Sequence, residues 1–479
     1  MNNKEYVAGL KFLLYVAVKE LYNGDVLFHH SLDKGIYTTI KSDTTIGKEE
    51  VNKIKEYMKS LVEKDIPIEK KMVTKKDAYN YFKNKNIKEK MYNVLNISNL
   101  TISLFKLKNY YNYFYTHDMV KSTKELSLFD LHFINDNELI LIYPTNNEII
   151  YSFRKKLYQA FSEYDEWLKR LNVNYVMDIN KLIAEGKIKD FIRKNDIMVD
   201  NKLEHIAEEI VLNNKKIVLI AGPSSSGKTT TSKKLSLFLS SLGVNAIPLS
   251  LDDFFLNRDE TPLDEFGNKD YESINSLDLK LFNKVLDDLL NGKSTHLPTY
   301  NFITGEKEIS DKETVLSEKD CLVIEGLHGL NPNLISDEYK SMIYKIYISP
   351  LTPLNVDRHN YVSTTENRLL RRIIRDFRTR GKSGEDSLAS WSSVRRGEEN
   401  YIFPYTDDAD AVLNTAYAYE IGVLKVYVEP ILYSIDLNSE YYSEARRILD
   451  HLKTFYPIPS EYVSEDNLLR EFIGGSSFE

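Results

Sequence analysis

A glycine-rich segment near the middle of the chain carries the residues best suited to hold phosphate. It reads Gly222-x-x-x-x-Gly227-Lys228-Thr229, after an apolar run and before a helical pattern. The glycines allow a tight turn whose backbone N–H groups point at phosphate oxygens, and the helix N-terminus adds partial positive charge. Lys228 would reach the β- and γ-phosphates, and the Thr229 hydroxyl would hold Mg²⁺. The pattern predicts a nucleotide-binding loop, whose residues are Gly222, Pro223, Ser224, Ser225, Ser226, Gly227, Lys228, Thr229 and Thr230.

Two carboxylates follow apolar runs that resemble buried strands. Asp252 comes shortly after residues 244–249, and Glu325 ends residues 321–325. The carboxyl ends of parallel strands meet at one edge of a sheet, so both side chains would face the γ-phosphate. Asp252 is our candidate for the base that takes a proton from an attacking hydroxyl, and it would also help to hold Mg²⁺. Glu325 would be the second acidic metal ligand. A helix cap or a solvated loop acid is the alternative for Asp252, and an exposed acid at a strand end is the alternative for Glu325.

An arginine-rich stretch lies further along the chain. Its arginines are spaced i, i+3, i+4 and i+7 and share one face of a helix; they are Arg368, Arg371, Arg372 and Arg375. Phosphoryl transfer needs cations around the migrating group, and a supplied arginine is worth roughly 10³–10⁵ in rate in some systems. We expect this helix to close over the phosphates as a lid, with residues 381–384 as its hinge. A solvated, salt-bridged face and an RNA-binding patch are the alternatives, and the patch lacks nearby aromatic residues for stacking.

Strand and helix patterns alternate around these residues. The candidate strands are separated by helices, as a parallel α/β sheet requires, and lie at 216–221, 244–249, 321–325 and 343–348. Outside this region the clearest helical patterns lie at 7–21, 48–64, 75–84, 151–171 and 441–455. We therefore predict an α+β unit, a helical connector, an α/β domain and a C-terminal helical tail; the boundaries are 1–147, 148–213, 214–430 and 431–479.

Composition excludes several classes of site. The net charge of −8 over 479 residues gives no general case for nucleic-acid binding, so any anion site must be local. Cys321 is the only cysteine, which rules out an internal disulfide and a cysteine-based metal cluster. We find neither a signal-peptide pattern nor an apolar stretch of about 20 residues. We therefore expect a cytoplasmic protein that does not enter a membrane.

Together these segments resemble the uridine kinase and phosphoribulokinase family of phosphate-loop kinases. The likeness covers residues 210–430 and rests on the phosphate loop, Asp252-Asp253-Phe254-Phe255, Leu297-Pro298-Thr299-Tyr300-Asn301-Phe302, Ile324-Glu325-Gly326 and the arginine-rich helix at 368–381. It implies a phosphate-loop kinase fold with a parallel sheet, and the use of ATP and Mg²⁺.

The resemblance also implies roles on the phosphate-donor side of the site. Thr229 and Glu325 would bind Mg²⁺. Lys228 and Arg371 would neutralise the charge that develops during transfer. Arg375 would bind the phosphates beside Arg371.

On the acceptor side, the resemblance makes Asp252 the base that activates a sugar hydroxyl. Glu272 falls in the segment that touches ribose, at a position where the family usually has Asp, and Arg368 would reach the sugar side. Tyr300 matches an aromatic residue that packs near the nucleobase. The family's base-reading His is absent, because the matching stretch is 303–306 and includes Gly305. A missing buried hydrogen bond should loosen or change the choice of base.

The first unit resembles the second N-terminal domain of threonyl-tRNA synthetase, which precedes a kinase domain in a group of bacterial uridine-kinase-like proteins. The likeness to the synthetase domain rests on residues 17–22 and 30–37, and the likeness to the bacterial group rests on residues 363–372, 391–399 and 470–476. The synthetase domain edits mischarged tRNA with a His-x-x-x-His pair and a Cys-x-x-x-His pair. The matching positions here are Phe12, Val16, Tyr115 and Met119, none of which binds a metal or carries a proton. We therefore expect a degenerate domain without editing chemistry.

We expect a homo-oligomeric kinase that transfers the γ-phosphoryl group of ATP to the 5′-hydroxyl of a ribonucleoside such as uridine or cytidine. Two alternatives stay open. One is a kinase of another small alcohol, such as a phosphosugar or a vitamin precursor, which Gly305 motivates. The other is a nucleotide-switched protein that binds tRNA or the ribosome; the first unit motivates it, and the net charge argues against RNA as a partner.

Overall fold

The computed structural model describes residues 3–97, 99–116 and 118–478. Within these residues the strands are β1 (Asp25–Leu32), β2 (Gly35–Lys41), β3 (Ile68–Thr74), β4 (Thr101–Leu107), β5 (Tyr110–Asn112), β6 (Asp130–Asn135), β7 (Glu138–Ile142), β8 (Ile217–Ala221), β9 (Ala246–Ser250), β10 (Thr295–Asn301), β11 (Glu306–Thr314), β12 (Cys321–Glu325), β13 (Ile343–Ser349), β14 (Asn355–Asp357), β15 (Asn360–Tyr361) and β16 (Ala411–Asn414).

The helices are α1 (Asn3–Tyr22), α2 (Lys48–Glu63), α3 (Lys75–Asn84), α4 (Lys88–Asn96), α5 (Lys155–Arg170), α6 (Val176–Ala184), α7 (Ile188–Leu212), α8 (Lys228–Ser241), α9 (Leu279–Leu290), α10 (Thr364–Thr379), α11 (Gly384–Tyr401), α12 (Glu420–Tyr433), α13 (Tyr442–Leu452) and α14 (Arg470–Ile473).

A parallel sheet in the second half of the chain positions the phosphate loop. Its strand order is β16-β13-β8-β12-β9, and every neighbouring pair is parallel. All residues of β8 and β12 are buried, because both strands lie inside the sheet and carry apolar residues almost throughout. The predicted parallel α/β architecture is confirmed, and its four predicted strands correspond to β8, β9, β12 and β13.

Two features of this region differ from the sequence prediction. The fifth strand, β16, is only four residues long and has no periodicity to reveal it. The antiparallel hairpin β10–β11 is largely polar and half exposed, so it reads as loop in the sequence.

Helices cover both faces of the sheet. On one face, apolar residues of α7, α8, α10, α12 and α13 join a single core with β8 and β13, and α9 packs on the other face. Helix α10 contributes four buried aliphatic side chains, Leu369, Leu370, Ile373 and Ile374, and contacts α11, α12 and α14. The arginine-rich helix is thus a packed element of the core, which differs from the hinged lid that its sequence led us to expect.

The N-terminal region has the predicted α+β character. One antiparallel sheet has the order β1-β2-β7-β6, a second has β3-β4-β5, and α1 is buried along most of its length. Helices α2 and α3 lie where the 48–64 and 75–84 patterns predict them. Strands β3 to β5 and helix α4 were not predicted, because their sequences mix charged and apolar residues.

A short hairpin from the second half of the chain packs into this region. Within β14–β15 and its turn, Asp357 forms a buried ion pair with Lys90 at 3.0 Å, and Arg358 pairs with Asp25 and Glu89. Helices α5 to α7 pack on the parallel sheet instead. The boundary at residue 147 therefore stays a prediction, since residues on both sides of it share a buried charged cluster.

Helices among the described residues are too short or too polar to span a membrane.

Candidate functional site

The glycine-rich segment forms a tight loop between β8 and α8. Gly222 follows the strand directly, and a Cβ there would lie 2.5 Å from the Ile348 carbonyl oxygen, so only glycine fits. Gly227 precedes α8 with a φ of +90°, a left-handed conformation that favours glycine. Ser225 also has a positive φ of 60°. These turns wrap the backbone around the N-terminus of α8, as a phosphate-binding loop requires.

Polar groups of the loop are arranged to meet an anion. Lys228 Nζ donates to the carbonyl oxygens of Gly222 and Pro223 at 3.1 and 3.3 Å, so the ammonium group lies across the loop. The hydroxyl oxygens of Ser225 and Ser226 are buried without a hydrogen-bond partner among the described residues. Buried polar groups are normally satisfied, so these two hydroxyls fit phosphate oxygens. The loop therefore suits a nucleoside triphosphate.

Oxygen donors converge beside Lys228. Thr229 Oγ1 and Ser250 Oγ each donate to Glu325 Oε1, at 3.1 and 3.0 Å. Burial and the nearby Asp252 carboxylate raise the pKa of Glu325 to about 7. A cation between these groups would relieve that repulsion. Hydroxyl and carboxylate oxygens are suitable ligands for Mg²⁺, which also keeps waters and phosphate oxygens in its shell.

Asp252 reaches this place from the turn that follows β9. Ser250 ends the strand, and its hydroxyl accepts the Asp252 N–H at 3.3 Å, which starts a 3-10 turn over residues 251–254. The half-buried Asp252 faces the same cavity as Lys228 and Glu325. Among the described residues no group of three or more His, Cys, Asp or Glu could hold a metal unaided. Two carboxylates and a hydroxyl are what Mg²⁺ shared with a nucleotide needs.

These groups line one open cavity of about 250 Å³. The structure brings together nine of the predicted site residues there, which are Ser225, Ser226, Gly227, Lys228, Thr229, Thr230, Asp252, Glu325 and Arg375. Lys233, Thr379 and Arg380 complete the helical walls. Gly222, Pro223 and Ser224 lie just behind the cavity, where the first two accept from Lys228 and Ser224 is held by its neighbours.

Arg371 is not where the sequence placed it. Its guanidinium is fully buried, forms an ion pair with Glu420 and donates to the Thr415 carbonyl oxygen at 2.8 Å. It also lies 5.1 Å from the ring of Phe472. The predicted contact with phosphates is corrected here, because this guanidinium has a carboxylate of its own and does not line the cavity.

Arg368 supports the loop and does not line the phosphate cavity. It is 1% exposed and pairs with both carboxylate oxygens of Glu398. One of its nitrogens also donates to the Ser224 carbonyl oxygen at 3.3 Å, while the Ser224 N–H donates to Glu398. The predicted sugar contact is therefore corrected: this pair fixes the backbone of Ser224 from behind.

The arginines that line the cavity are Arg375 and Arg380. They share the buried carboxylate of Asp376 with Arg372, so three guanidinium groups surround one negative charge. Burial and the neighbouring Arg375 lower the pKa of Arg380 to about 10. This excess of positive charge suits phosphate.

Of the predicted acceptor residues, Asp252 lines the cavity, whereas Glu272 and Tyr300 lie outside its lining. Burial, followed by the charge of Glu398, raises the pKa of the half-buried Glu272 to about 7. Tyr300 belongs to an aromatic cluster, with ring centroids 5.7 Å from Phe255 and 5.2 Å from Phe302. The Arg380 guanidinium lies 5.1 Å from the Phe302 ring and so connects this cluster to the phosphate cavity.

Gly305 has a conformational reason to replace the family's histidine. It ends the turn of the β10–β11 hairpin with a φ of +79°, and a Cβ there would lie 2.6 Å from Arg258 Nε. Arg258 donates to the carbonyl oxygens of Phe302 and Ile303 at 3.0 and 3.3 Å. A guanidinium therefore lies against this turn, which the sequence did not reveal.

The C-terminal segment also contributes to the cavity, through Glu471, Ser476 and Phe478. Sequence reasoning assigned no role to it. The only signal was the resemblance of residues 470–476 to the bacterial subgroup.

The positions that match the synthetase's editing pairs are part of the N-terminal core. Phe12 and Val16 are fully buried, Met119 is 6% exposed, and the Tyr115 hydroxyl is buried without a hydrogen-bond partner among the described residues. The ring of Phe12 packs against Phe114 at 5.7 Å. These side chains fill space, and the likeness to the editing domain stays a prediction.

Residues 217–421 match the sequence profile of the Phosphoribulokinase / Uridine kinase family. A uridine kinase from Macrococcus caseolyticus is 29% identical over 198 residues, which cover 41% of this chain and 86% of the relative. A uridine kinase from Halobacterium salinarum is 28% identical over 197 residues, which cover 40% and 77%. The solved structure of a possible uridine kinase from Bacillus stearothermophilus aligns with a TM-score of 0.30 and 17% identity, covering 44% of this chain and 97% of that one.

The matched range begins at the first residue of β8 and contains the phosphate loop, both acidic residues and the arginine-rich helix. The N-terminal region and the C-terminal tail lie outside it. Residues 217–421 therefore match a domain of the Phosphoribulokinase / Uridine kinase family.

Proposed function

We propose that the protein is an ATP-dependent nucleoside kinase that phosphorylates the 5′-hydroxyl of a ribonucleoside. The observation that carries this proposal is the convergence of Lys228, Thr229, Asp252 and Glu325 on one cavity at the N-terminus of α8. A phosphate loop alone would serve any nucleotide-binding protein. A carboxylate beside the γ-phosphate position makes transfer to a hydroxyl the chemistry that this arrangement supports best.

Each of these residues has a distinct task in the proposed reaction. Asp252 accepts the proton of the acceptor hydroxyl as that oxygen attacks, which makes the oxygen a better nucleophile. Thr229 and Glu325 hold the metal, and Lys228 and Arg375 face the charge that builds up during transfer. When bound, Mg-ATP supplies the phosphoryl group. The buried pairs behind the loop keep its backbone in place while charge moves.

The acceptor would lie between Asp252 and the aromatic cluster around Tyr300. Stacked and edge-on aromatic rings suit a planar base, and Glu272 offers a carboxyl group for ribose hydroxyls. The relatives that match this domain are named uridine kinases, which supports a pyrimidine nucleoside.

A kinase of another small alcohol is the second candidate, and the hairpin turn at Gly305 favours it. This turn carries no base-reading side chain, and Arg258 lies against it. A guanidinium at the acceptor side would suit an alcohol that already carries phosphate.

The proposed function is tested by ADP formation with a panel of acceptors. The purified protein is incubated with Mg-ATP and uridine, cytidine, purine nucleosides, phosphosugars or tRNA. We expect nucleosides to accelerate ADP release and to yield the 5′-monophosphate by mass spectrometry. The Lys228→Met variant should lose this activity, whereas Lys280→Met, which removes an exposed lysine on α9, should keep it.

The other outcomes each identify an alternative. Acceleration only by a phosphosugar would replace the nucleoside with a phosphorylated alcohol. ADP release that no small acceptor increases, but that tRNA increases, would contradict the kinase proposal and favour a nucleotide-switched RNA-binding protein.

A further inference from the structure

The chain after α13 returns to the phosphate loop. Leu468 and Leu469 are fully buried in the core, and Leu468 Cβ lies 3.9 Å from where a Cβ on Gly227 would be. Asn467 anchors the segment through its amide, which donates to Asp196 at 2.8 Å and to the Tyr419 hydroxyl at 3.0 Å. The tail is therefore packed into the core beside the phosphate loop.

Glu471 points its carboxylate at the N-terminus of α8. Its Oε2 atom accepts from the Thr230 hydroxyl at 2.9 Å and from the Thr230 backbone N–H at 3.3 Å. Within the described part of the chain no lysine or arginine lies within 4.0 Å of the Glu471 carboxylate, and the N-terminus of α8 supplies partial positive charge there. A carboxylate oxygen thus occupies the position at which the Thr230 N–H would donate to a phosphate oxygen.

The rest of the tail closes the same side of the cavity. Lys233 Nζ, on the next turn of α8, donates to the Phe478 carbonyl oxygen at 2.7 Å. Arg378 donates to the Phe472 carbonyl oxygen at 2.6 Å, which ties the tail to the arginine-rich helix. Ser476 and Phe478 lie on the cavity wall. Lys233, a cation that lines the cavity, therefore holds a tail carbonyl group.

The volume of the cavity and the charge of Glu471 both disfavour a nucleotide while the tail is in place. With the tail in place the cavity is about 250 Å³, below the roughly 300–1,000 Å³ that ligand pockets usually have. A phosphate that bound the Thr230 N–H would meet the Glu471 carboxylate at hydrogen-bond distance, and two negative groups repel each other there.

We propose that the C-terminal segment 464–478 is a built-in competitor of the nucleotide, with Glu471 taking the place of a phosphate at Thr230. The inference rests on the proposed use of ATP by this loop. ATP binding would release Glu471 and loosen the tail, so the tail lowers the apparent affinity by the fraction of molecules in which it is bound.

The first test compares nucleotide affinity in three proteins. A fluorescent, non-hydrolysable ATP analogue is titrated with Mg²⁺ into the wild type, Glu471→Gln and Glu461→Gln. Glutamine keeps the size of residue 471 but removes the charge that the helix terminus attracts, so we expect about tenfold tighter binding. Glu461 is an exposed residue of the same tail, and its variant should bind like the wild type.

The second test uses the wild type alone and follows the tail. Hydrogen exchange of peptides covering residues 464–478 is measured with and without the analogue. We expect faster exchange with the analogue, because amides such as Ser477 N–H, which donates to Glu465, would lose their partners. Slower exchange would overturn the inference, since the tail would then close over the nucleotide as part of its site.

The outcomes separate this inference from the function on which it rests. Equal affinities for the wild type and Glu471→Gln would overturn the competitor role while leaving nucleotide binding intact. Binding by none of the three proteins would overturn the proposed ATP site and the inference together. Tighter binding by Glu471→Gln than by the wild type, with faster tail exchange in the wild type when the analogue is bound, would support both.

Discussion

Helix α10 carries arginines in two settings, and the contrast shows what makes a cation available for chemistry. Toward α11 and α12, Arg368 and Arg371 are buried. Arg368 pairs with Glu398, which it shares with the half-buried Arg395, and Arg371 has the Glu420 carboxylate to itself. One to two turns later, Arg375 lines the phosphate cavity. The same residue type therefore serves structure at one end of the helix and the site at the other.

The difference lies in how many cations share each anion. Around the cavity, Arg372, Arg375 and Arg380 share the single carboxylate of Asp376. The charge of a guanidinium that has a buried carboxylate to itself is largely neutralised, so it attracts another anion only weakly. Three guanidinium groups around one carboxylate leave an excess of positive charge. The end of α10 near Asp376 is therefore the end that can attract phosphate.

Removing Arg371, one of the structural arginines of α10, should have the largest effect, which is a loss of folding stability. In Arg371→Met the Glu420 carboxylate would be left buried without its cation, which costs about 3–5 kcal/mol of stability. Thermal unfolding of the purified protein measures this as a lower midpoint. Adding Glu420→Gln should recover part of the loss, because no unpaired buried charge then remains. A variant as stable as the wild type would show that this pair does not hold α10 and α12 together.

Replacing Asp252 tests the chemistry proposed for the phosphate cavity. Asp252→Asn keeps the shape of a half-buried side chain but removes the proposed base, so the rate should fall at least about 10²-fold. The measurement is acceptor-dependent ADP formation at saturating Mg-ATP. Nucleotide affinity and the unfolding midpoint should change little. A near-normal rate would remove Asp252 from the role of base.

Arg375→Met sharpens the comparison, because it removes a cation from the same helix as Arg371→Met. Asp376 keeps Arg372 and Arg380, so we expect only a small change in the unfolding midpoint. Phosphoryl transfer should fall about tenfold, since one cation facing the phosphates is lost. The control is Arg396→Met, which removes an exposed arginine of α11. A large loss of stability without a loss of rate would place Arg375 with the structural arginines.

Much of the fold and the phosphate loop could be predicted because the information is local. The apolar runs that form β8 and β12 each lead directly to a residue of the site. Gly222 follows β8, and Glu325 is the last residue of β12. The loop needs only its own glycines and the helix that follows it. A pattern within about ten residues is therefore enough to place these groups.

The positions of the arginines and of the tail could not be predicted, because their partners are distant in sequence. Helical periodicity correctly groups Arg371 with Arg375 but says nothing about Glu420, which is 49 residues away. Glu471 meets Thr230 across 241 residues. Such pairings depend on the packing of whole helices, and a short polar motif carries no sign of them.

The smallest expected effect is the loss of stability that low pH causes through Glu366, in the first turn of α10. Glu366 is buried between His451 and Arg447, and their charges hold its pKa below the ordinary value of 4.5. A carboxyl group whose pKa is lowered by folding contributes stability above its unfolded pKa and loses it as pH falls. Between pH 7 and pH 4 this one group should remove roughly 0.8 kcal/mol.

Urea unfolding at pH 7 and at pH 4 measures this loss in the wild type and in Glu366→Gln. The variant should be less stable at pH 7, because His451 and Arg447 lose their carboxylate, but its stability should fall less on acidification. Equal falls in the two proteins would mean that Glu366 titrates alike in the folded and unfolded chains. The ion-paired end of α10 would then be no different from a solvated helix face, and the contrast with the cavity end would rest on Arg371 alone.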